Sequence, residues 1–105
     1  MSMGNMSQML KQAQKLQQDM LKAKEEAEGR TVSAAAGGGL VNVVVSGKME
    51  LVELKIDPQA FDPDDPEMLE DLIKAAVNRG LGEARVMVEQ SVSRLTGGMN
   101  IPGLF

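Results

Sequence analysis

Between Thr31 and Asp57, two glycine-marked turns cut the chain into three short alternating segments, and this stretch constrains the fold more than any other. Thr31–Ala36 puts Val32, Ala34 and Ala36 on one face, and Gly37-Gly38-Gly39 follows as a turn. Leu40–Ser46 is the second strand, with Val41, Val43 and Val45 inward. Gly47-Lys48 fits a two-residue hairpin loop, after which Met49–Ile56 returns with Val52, Leu54 and Ile56 inward. Strands joined this tightly pair antiparallel, because a parallel crossover needs a dozen or more residues. Leu40, Val44, Met49 and Leu51 fall on the opposite face. Apolar residues on both faces predict cover on both: helices on one side, a partner subunit over part of the other.

Helical patterns flank this sheet. Met6, Met9, Ala13, Leu16, Met20, Ala23 and Ala27 are spaced alternately three and four apart, which predicts a helix over about 5–28. Three of those seven positions are alanine, so the seam is too weak to join two helices alone. Gly29 follows as a C-cap residue. Asp57–Pro66 holds three prolines and reads as a loop ending in a helix start, with Asp65 as N-cap and Pro66 in the first turn. The second helix is expected over about 66–95, with a core stripe of Leu69, Leu72, Ile73, Ala76, Gly80, Ala84, Met87, Ser91 and Leu95. Gly80 and Gly82 mark a place where it can kink. Residues 96–105, TGGMNIPGLF, read as a loose tail. The chain is thus expected to be one α+β domain, 1–105, ordered α-β-β-β-α, with a three-stranded antiparallel sheet (about 31–57) and two long helices.

Aromatic residues are only 2% of the chain, Phe61 and Phe105, although hydrophobic residues are 43%. A core of Val, Leu, Ile, Met and Ala buries less area per residue than rings do, which favours pairing with a second copy. Cysteine and histidine are absent. This removes thiolate metal sites, Cys nucleophiles, the usual general base and the commonest metal ligand. No catalytic residues, no metal site, no cofactor and no small-molecule substrate are therefore expected. No apolar run reaches the ~18 residues of a membrane span, and MSMGNMSQML lacks the pattern of a signal peptide. The expected location is the cytoplasm, away from membranes.

A net charge of −4 argues against a polyanionic partner only until it is mapped along the chain. Residues 1–24 carry four lysines and one aspartate, a balance of +3. Residues 25–73 carry twelve acids and three bases, a balance of −9, and residues 74–105 carry four bases and two acids, a balance of +2. Both ends are basic, and the local field decides what binds there.

On the first helix, Lys11, Lys15, Gln18 and Lys22 lie within about 60° of each other, roughly opposite the seam, with Gln8 and Gln14 beside them. Lysines of this kind neutralise phosphates, and amides hydrogen-bond the backbone or base edges. On the second helix, Lys74, Asn78 and Arg85 fall within about 40° of one another, away from the core stripe. One such face is ordinary solvated surface; the same arrangement on both helices points to DNA. Scarce aromatics favour duplex over single strands, which are usually stacked on rings. The glycine triplet leads into a strand, unlike a P-loop. Asp62, Asp64, Asp65 and Glu67 lack the spacing of a calcium loop and read as caps and solubilising charge. Glu25, Glu26 and Glu28 stand where the helix dipole disfavours them; they would repel phosphate at the end of the basic row.

Four segments together resemble the YbaB/EbfC family of bacterial nucleoid-associated proteins: Gln8–Met20, Gly37–Asp57, Asp65–Asn78 and Thr96–Gly103. The resemblance implies a tweezer-shaped homodimer with helical arms, binding to double-stranded DNA through the two helices, and a place in the nucleoid. It implies effects on DNA conformation, nucleoid organisation and gene expression. Carried onto this chain, it points to Lys11, Lys15 and Lys22 as phosphate contacts and Gln14 and Gln18 as hydrogen-bonding partners. The second-helix set becomes Lys74, Asn78, Arg79 and Arg85. NRGLGEAR (Asn78–Arg85) departs from the family pattern by carrying two glycines. The alternative reading is an adaptor that holds proteins of the DNA repair or replication machinery through its helices and acidic middle.

Overall fold

A computed structural model gives the structure, which describes residues 3–95, with side chains from residue 5 onward. The order is α1 (Met3–Glu28), β1 (Thr31–Ala36), β2 (Val41–Ser46), β3 (Leu51–Ile56), a 3-10 turn (Pro58–Ala60) and α2 (Pro66–Ser93). The strands form one antiparallel sheet in the order β1-β2-β3. This is the α-β-β-β-α arrangement that the alternation and turns predict. The stretch read as a loose tail lies outside the described residues.

The core lies between α2 and the sheet. Val41, Val43 and Val45 are fully buried, and Ala76, Gly80 and Ala84 of α2 lie over them. The small stripe brings the helix backbone close to the strand. At Gly80 a Cβ would meet Val45 Cγ2 at 2.7 Å and Val43 Cγ2 at 3.1 Å. Val32, Ala34, Leu69, Leu72, Ile73, Val77 and Leu81 complete the rim. Despite its two glycines, α2 runs unbroken from Pro66 to Ser93. Its start is fixed as the sequence predicts: the Asp65 carboxylate accepts from the Met68 N–H at 3.3 Å, with Pro66 following.

The hairpin between β2 and β3 differs from the two-residue loop expected. Met49 N–H donates to Ser46 O, and Ser46 N–H donates to Glu50 O, both at 2.9 Å. The loop is Gly47-Lys48-Met49, with Met49 at φ 64°, the left-handed position that a three-residue hairpin requires. β3 then carries a register shift: Val44 pairs with Glu53, but Val45 pairs with Leu51, passing over Val52. Paired residues share a face, so Leu51 joins the Val45 face rather than the opposite one. Val52, expected inward, is the irregular residue and stands 60% exposed. The far face of β3 presents Glu53 and Lys55, ion-paired at 3.3 Å, so the expected apolar cover on that side has little to cover.

α1 joins this layer through its C-terminal end. Gly47 N–H donates to Arg30 O at 2.9 Å, and a Cβ on Gly47 would overlap the Ala27 carbonyl. Farther along, Met20 and Leu21 of α1 share a cavity with Val92 of α2, and Met20, Ala27 and Val92 are buried. Val92 lies off the expected core stripe because the end of α2 has passed the sheet and faces α1. The N-terminal half of α1 continues past the end of α2. The protomer is therefore 76 × 21 × 16 Å with a radius of gyration of 20.3 Å, against about 13 Å for a compact chain of this size.

Candidate nucleic-acid interface

The α1 row is set by helix periodicity and by what the other side of the helix does. Met20 and Ala27 fix the side that faces α2 and the hairpin. Lys11, Lys15, Gln18 and Lys22 fall roughly opposite it, and all four are exposed, as is Gln14 on their shoulder. Among the described residues none of these lysines is in an ion pair. Free ammonium groups at the spacing of successive turns, on a helix that projects from the body, can line a polyanion without first breaking a contact.

The α2 residues do not form one row. Lys74 and Arg85 are exposed on the side away from the sheet, and Asn78 is exposed where that side meets the flank of α2. Arg79 leaves on the flank instead, where its guanidinium donates to the Ala35 carbonyl of β1 at 2.7 Å. It shares with Asn78 an open groove between α2 and β1, lined also by Val32, Gly82, Val86 and Gln90. One N–H of Arg79 thus ties α2 to the sheet, while four of a guanidinium's five donors stay available. The α1 row faces away from α2, so the two basic sets are separate surfaces of the protomer.

Glu83 lines the same groove as Arg79, whereas the acids of the loop before α2 lie elsewhere. Asp57 Oδ1 accepts from Gln59 N–H and Asp62 Oδ1 from Asp64 N–H, both at 2.9 Å, and Asp65 caps α2. They order the loop at the end of the sheet remote from the N-terminal half of α1. Glu25 and Glu26 stand exposed beyond Lys22, and among the described residues neither is in an ion pair.

Two apolar surfaces remain uncovered in the protomer. α2 packs over β1 and β2 and leaves β3 beyond its edge, with Leu51, Val52 and Leu54 exposed by 45%, 60% and 40%. On α1, Met6, Met9 and Leu10 are each about 60% exposed. The seam spacing pointed to Met6 and Met9. It missed Leu10 and Leu21, which stand beside the seam and widen the apolar side. Among the described residues no helix is long and apolar enough to cross a membrane.

The model of the YbaB/EbfC DNA-binding family matches residues 3–99. A protein of Pelotomaculum thermopropionicum named nucleoid-associated protein is 56% identical over 102 residues, covering 97% of each chain. Proteins of the same name from Desulforamulus reducens and Alkaliphilus metalliredigens are 55% and 52% identical, covering 97% and 96% of this chain and 97% and 89% of their own. A crystal structure of an uncharacterized protein from Helicobacter pylori matches with TM-score 0.60 and 25% identity, over 84% of this chain and 98% of that one.

Proposed function

This chain belongs to the YbaB/EbfC DNA-binding family, and on that premise we propose that it is a nucleoid-associated protein that binds double-stranded DNA as a homodimer. The observation that carries the reading is the exposed row Lys11, Lys15, Gln18 and Lys22 on the projecting helix. Each lysine that neutralises a phosphate releases a counterion. Gln14 and Gln18 offer amide donors and acceptors to the backbone or to base edges. Lys74, Asn78 and Arg85 supply the second surface, with Arg79 contributing the donors that Ala35 leaves free. Because the two sets face different ways, one protomer touches the duplex in two places or touches two duplexes. Either geometry changes DNA conformation and organises the nucleoid, with consequences for gene expression.

Pairing is supported by the uncovered strand. Leu51, Val52 and Leu54 are apolar and exposed on β3, which α2 leaves beyond its edge, and the outer edge of that strand is unpaired in the sheet. A second copy laid there covers these side chains and satisfies the edge. Doubling the arms places two lysine rows on one particle, which raises affinity through effective concentration.

Titration of a labelled duplex followed by fluorescence anisotropy, at a series of salt concentrations, tests the reading. Binding should weaken log-linearly with salt, with a slope of about 0.9 per phosphate neutralised. Binding with no salt dependence, or none at low salt, refutes it.

A further inference from the structure

We infer that the N-terminal half of α1 pairs antiparallel with the same segment of a second dimer, so that the two lysine rows face opposite ways and hold two duplexes together. The contact itself needs only the apolar side of α1; its consequence for DNA rests on the function proposed above. Met6, Met9 and Leu10 are exposed by 62%, 62% and 61%. Farther along the same side, Leu16 is half-buried and Met20 is buried beside Val92 of α2. The helix thus leaves the protomer with an apolar side that continues a contact already made. Two of the three alanines that weaken the seam, Ala23 and Ala27, lie in the half that is already packed. The free half keeps only Ala13 and gains Leu10 beside it.

Spacing identifies the occupant as a helix. Met6, Met9, Ala13 and Leu16 alternate three and four apart, the seam into which a second helix inserts its own side chains. The positions flanking such a seam choose the partner, and here they are Asn5, Leu10, Gln12 and Gln17, none of them charged. The only charged residues between 5 and 18 are Lys11 and Lys15, which stand on the opposite side. A charged partner of either sign finds no counter-charge at this contact, whereas an identical helix meets it without repulsion. Orientation follows from Leu10. In a parallel pair the two different flanks meet, leucine against Asn5; in an antiparallel pair like flanks meet, leucine against leucine. A two-fold axis near Leu10 therefore buries both leucines and both Met9 side chains.

Size decides when the contact forms. From Met6 to Leu16 it runs about 15 Å along a helix roughly 10 Å wide, far short of the roughly 800 Å² per partner of a stable interface. It does not hold lone protomers; it joins dimers that DNA has gathered, where the effective concentration is high. In the pair the apolar sides meet, and Lys11, Lys15 and Lys22 of each helix point outward. The two rows then stand roughly 20 Å apart, the thickness of two packed helices. Rows that face away from each other across that thickness meet two duplexes rather than one.

Cross-linking and duplex capture test this with the full chain. The protein has no cysteine, so Leu10→Cys places one thiol on the apolar side and Lys15→Cys places one on the lysine side. Mild oxidation without DNA, at high protein concentration, should link Leu10→Cys several-fold faster than Lys15→Cys. The linked protein should sediment under native conditions as four or more chains. Equal rates, no link, or a linked species of only two chains overturns the pairing between dimers. Capture of a labelled duplex by a second, immobilised duplex reads the consequence. Met9→Asp/Leu10→Asp should lower capture several-fold while its affinity for a single duplex, followed by anisotropy, stays unchanged. Undiminished capture by this variant overturns the bridging role. Absence of single-duplex binding by the unaltered protein refutes the proposed function instead, and the cross-linking result still decides the pairing.

Discussion

Gly80 of α2 sits against Val45 of β2 so closely that a Cβ on the glycine would stand 2.7 Å from the valine Cγ2. Val45 is fully buried, so it cannot swing aside. The helix would have to lift from the strand at the centre of the core. Two residues on, a Cβ at Gly82 would meet nothing within 4 Å. The two glycines therefore predict opposite outcomes. Gly80→Ala should destabilise the protein by about 1–3 kcal/mol, since overpacking outweighs the gain in helix propensity. Gly82→Ala should stabilise it by about 0.5–1 kcal/mol, because only backbone entropy changes. Denaturant midpoints of the two variants, measured side by side, decide this; shifts of the same sign would contradict the close approach at Gly80.

Met49 holds a left-handed backbone, φ 64°, at the third position of the β2–β3 hairpin. A side chain there costs roughly 1–2 kcal/mol relative to glycine. Met49→Gly should raise the melting temperature, offset in part by the greater freedom of glycine in the unfolded chain. A lower melting temperature would mean that the methionine side chain packs more favourably than its exposure suggests.

Much of this fold is legible in the sequence because short periodic segments report their own burial. The valines of β2, the small stripe of α2 and the Asp65-Pro66 helix start each follow from spacing alone. The errors gather at the β2–β3 hairpin, where a methionine occupies a position that glycine usually marks. Without that mark, a three-residue loop reads as a two-residue one. The irregularity at Val52 then moves Leu51 to the Val45 face and leaves Val52 out of the register. Val92 was hidden for another reason: α2 changes partners along its length, so one stripe cannot describe it. For the basic residues, sequence gives charge and helix face. It could not show that Arg79 is engaged with the Ala35 carbonyl, a contact made across forty-four residues.

The proposed pairing surface predicts that Val52→Asp disrupts the homodimer and leaves the protomer folded, since Val52 is 60% exposed and packs in no core. A carboxylate shut into that interface without a partner costs about 3 kcal/mol or more, on the order of a hundredfold in dissociation constant. Sedimentation equilibrium of the variant should show the protomer where the unaltered protein is dimeric, with an unchanged circular dichroism spectrum. A dimer of undiminished stability would move the interface away from β3.

The central claim is that the α1 row carries the DNA contact, and charge reversal tests it most directly. Anisotropy of a labelled duplex is compared, at one moderate salt concentration, between the unaltered protein and Lys11→Glu/Lys15→Glu/Lys22→Glu. All three side chains are exposed and outside ion pairs among the described residues, so the variant should keep its fold and its assembly. The account predicts that binding is lost, with affinity lower by at least about a hundredfold, since three phosphate contacts become repulsions. Binding of undiminished affinity by a folded triple variant would contradict it and move the DNA surface off α1.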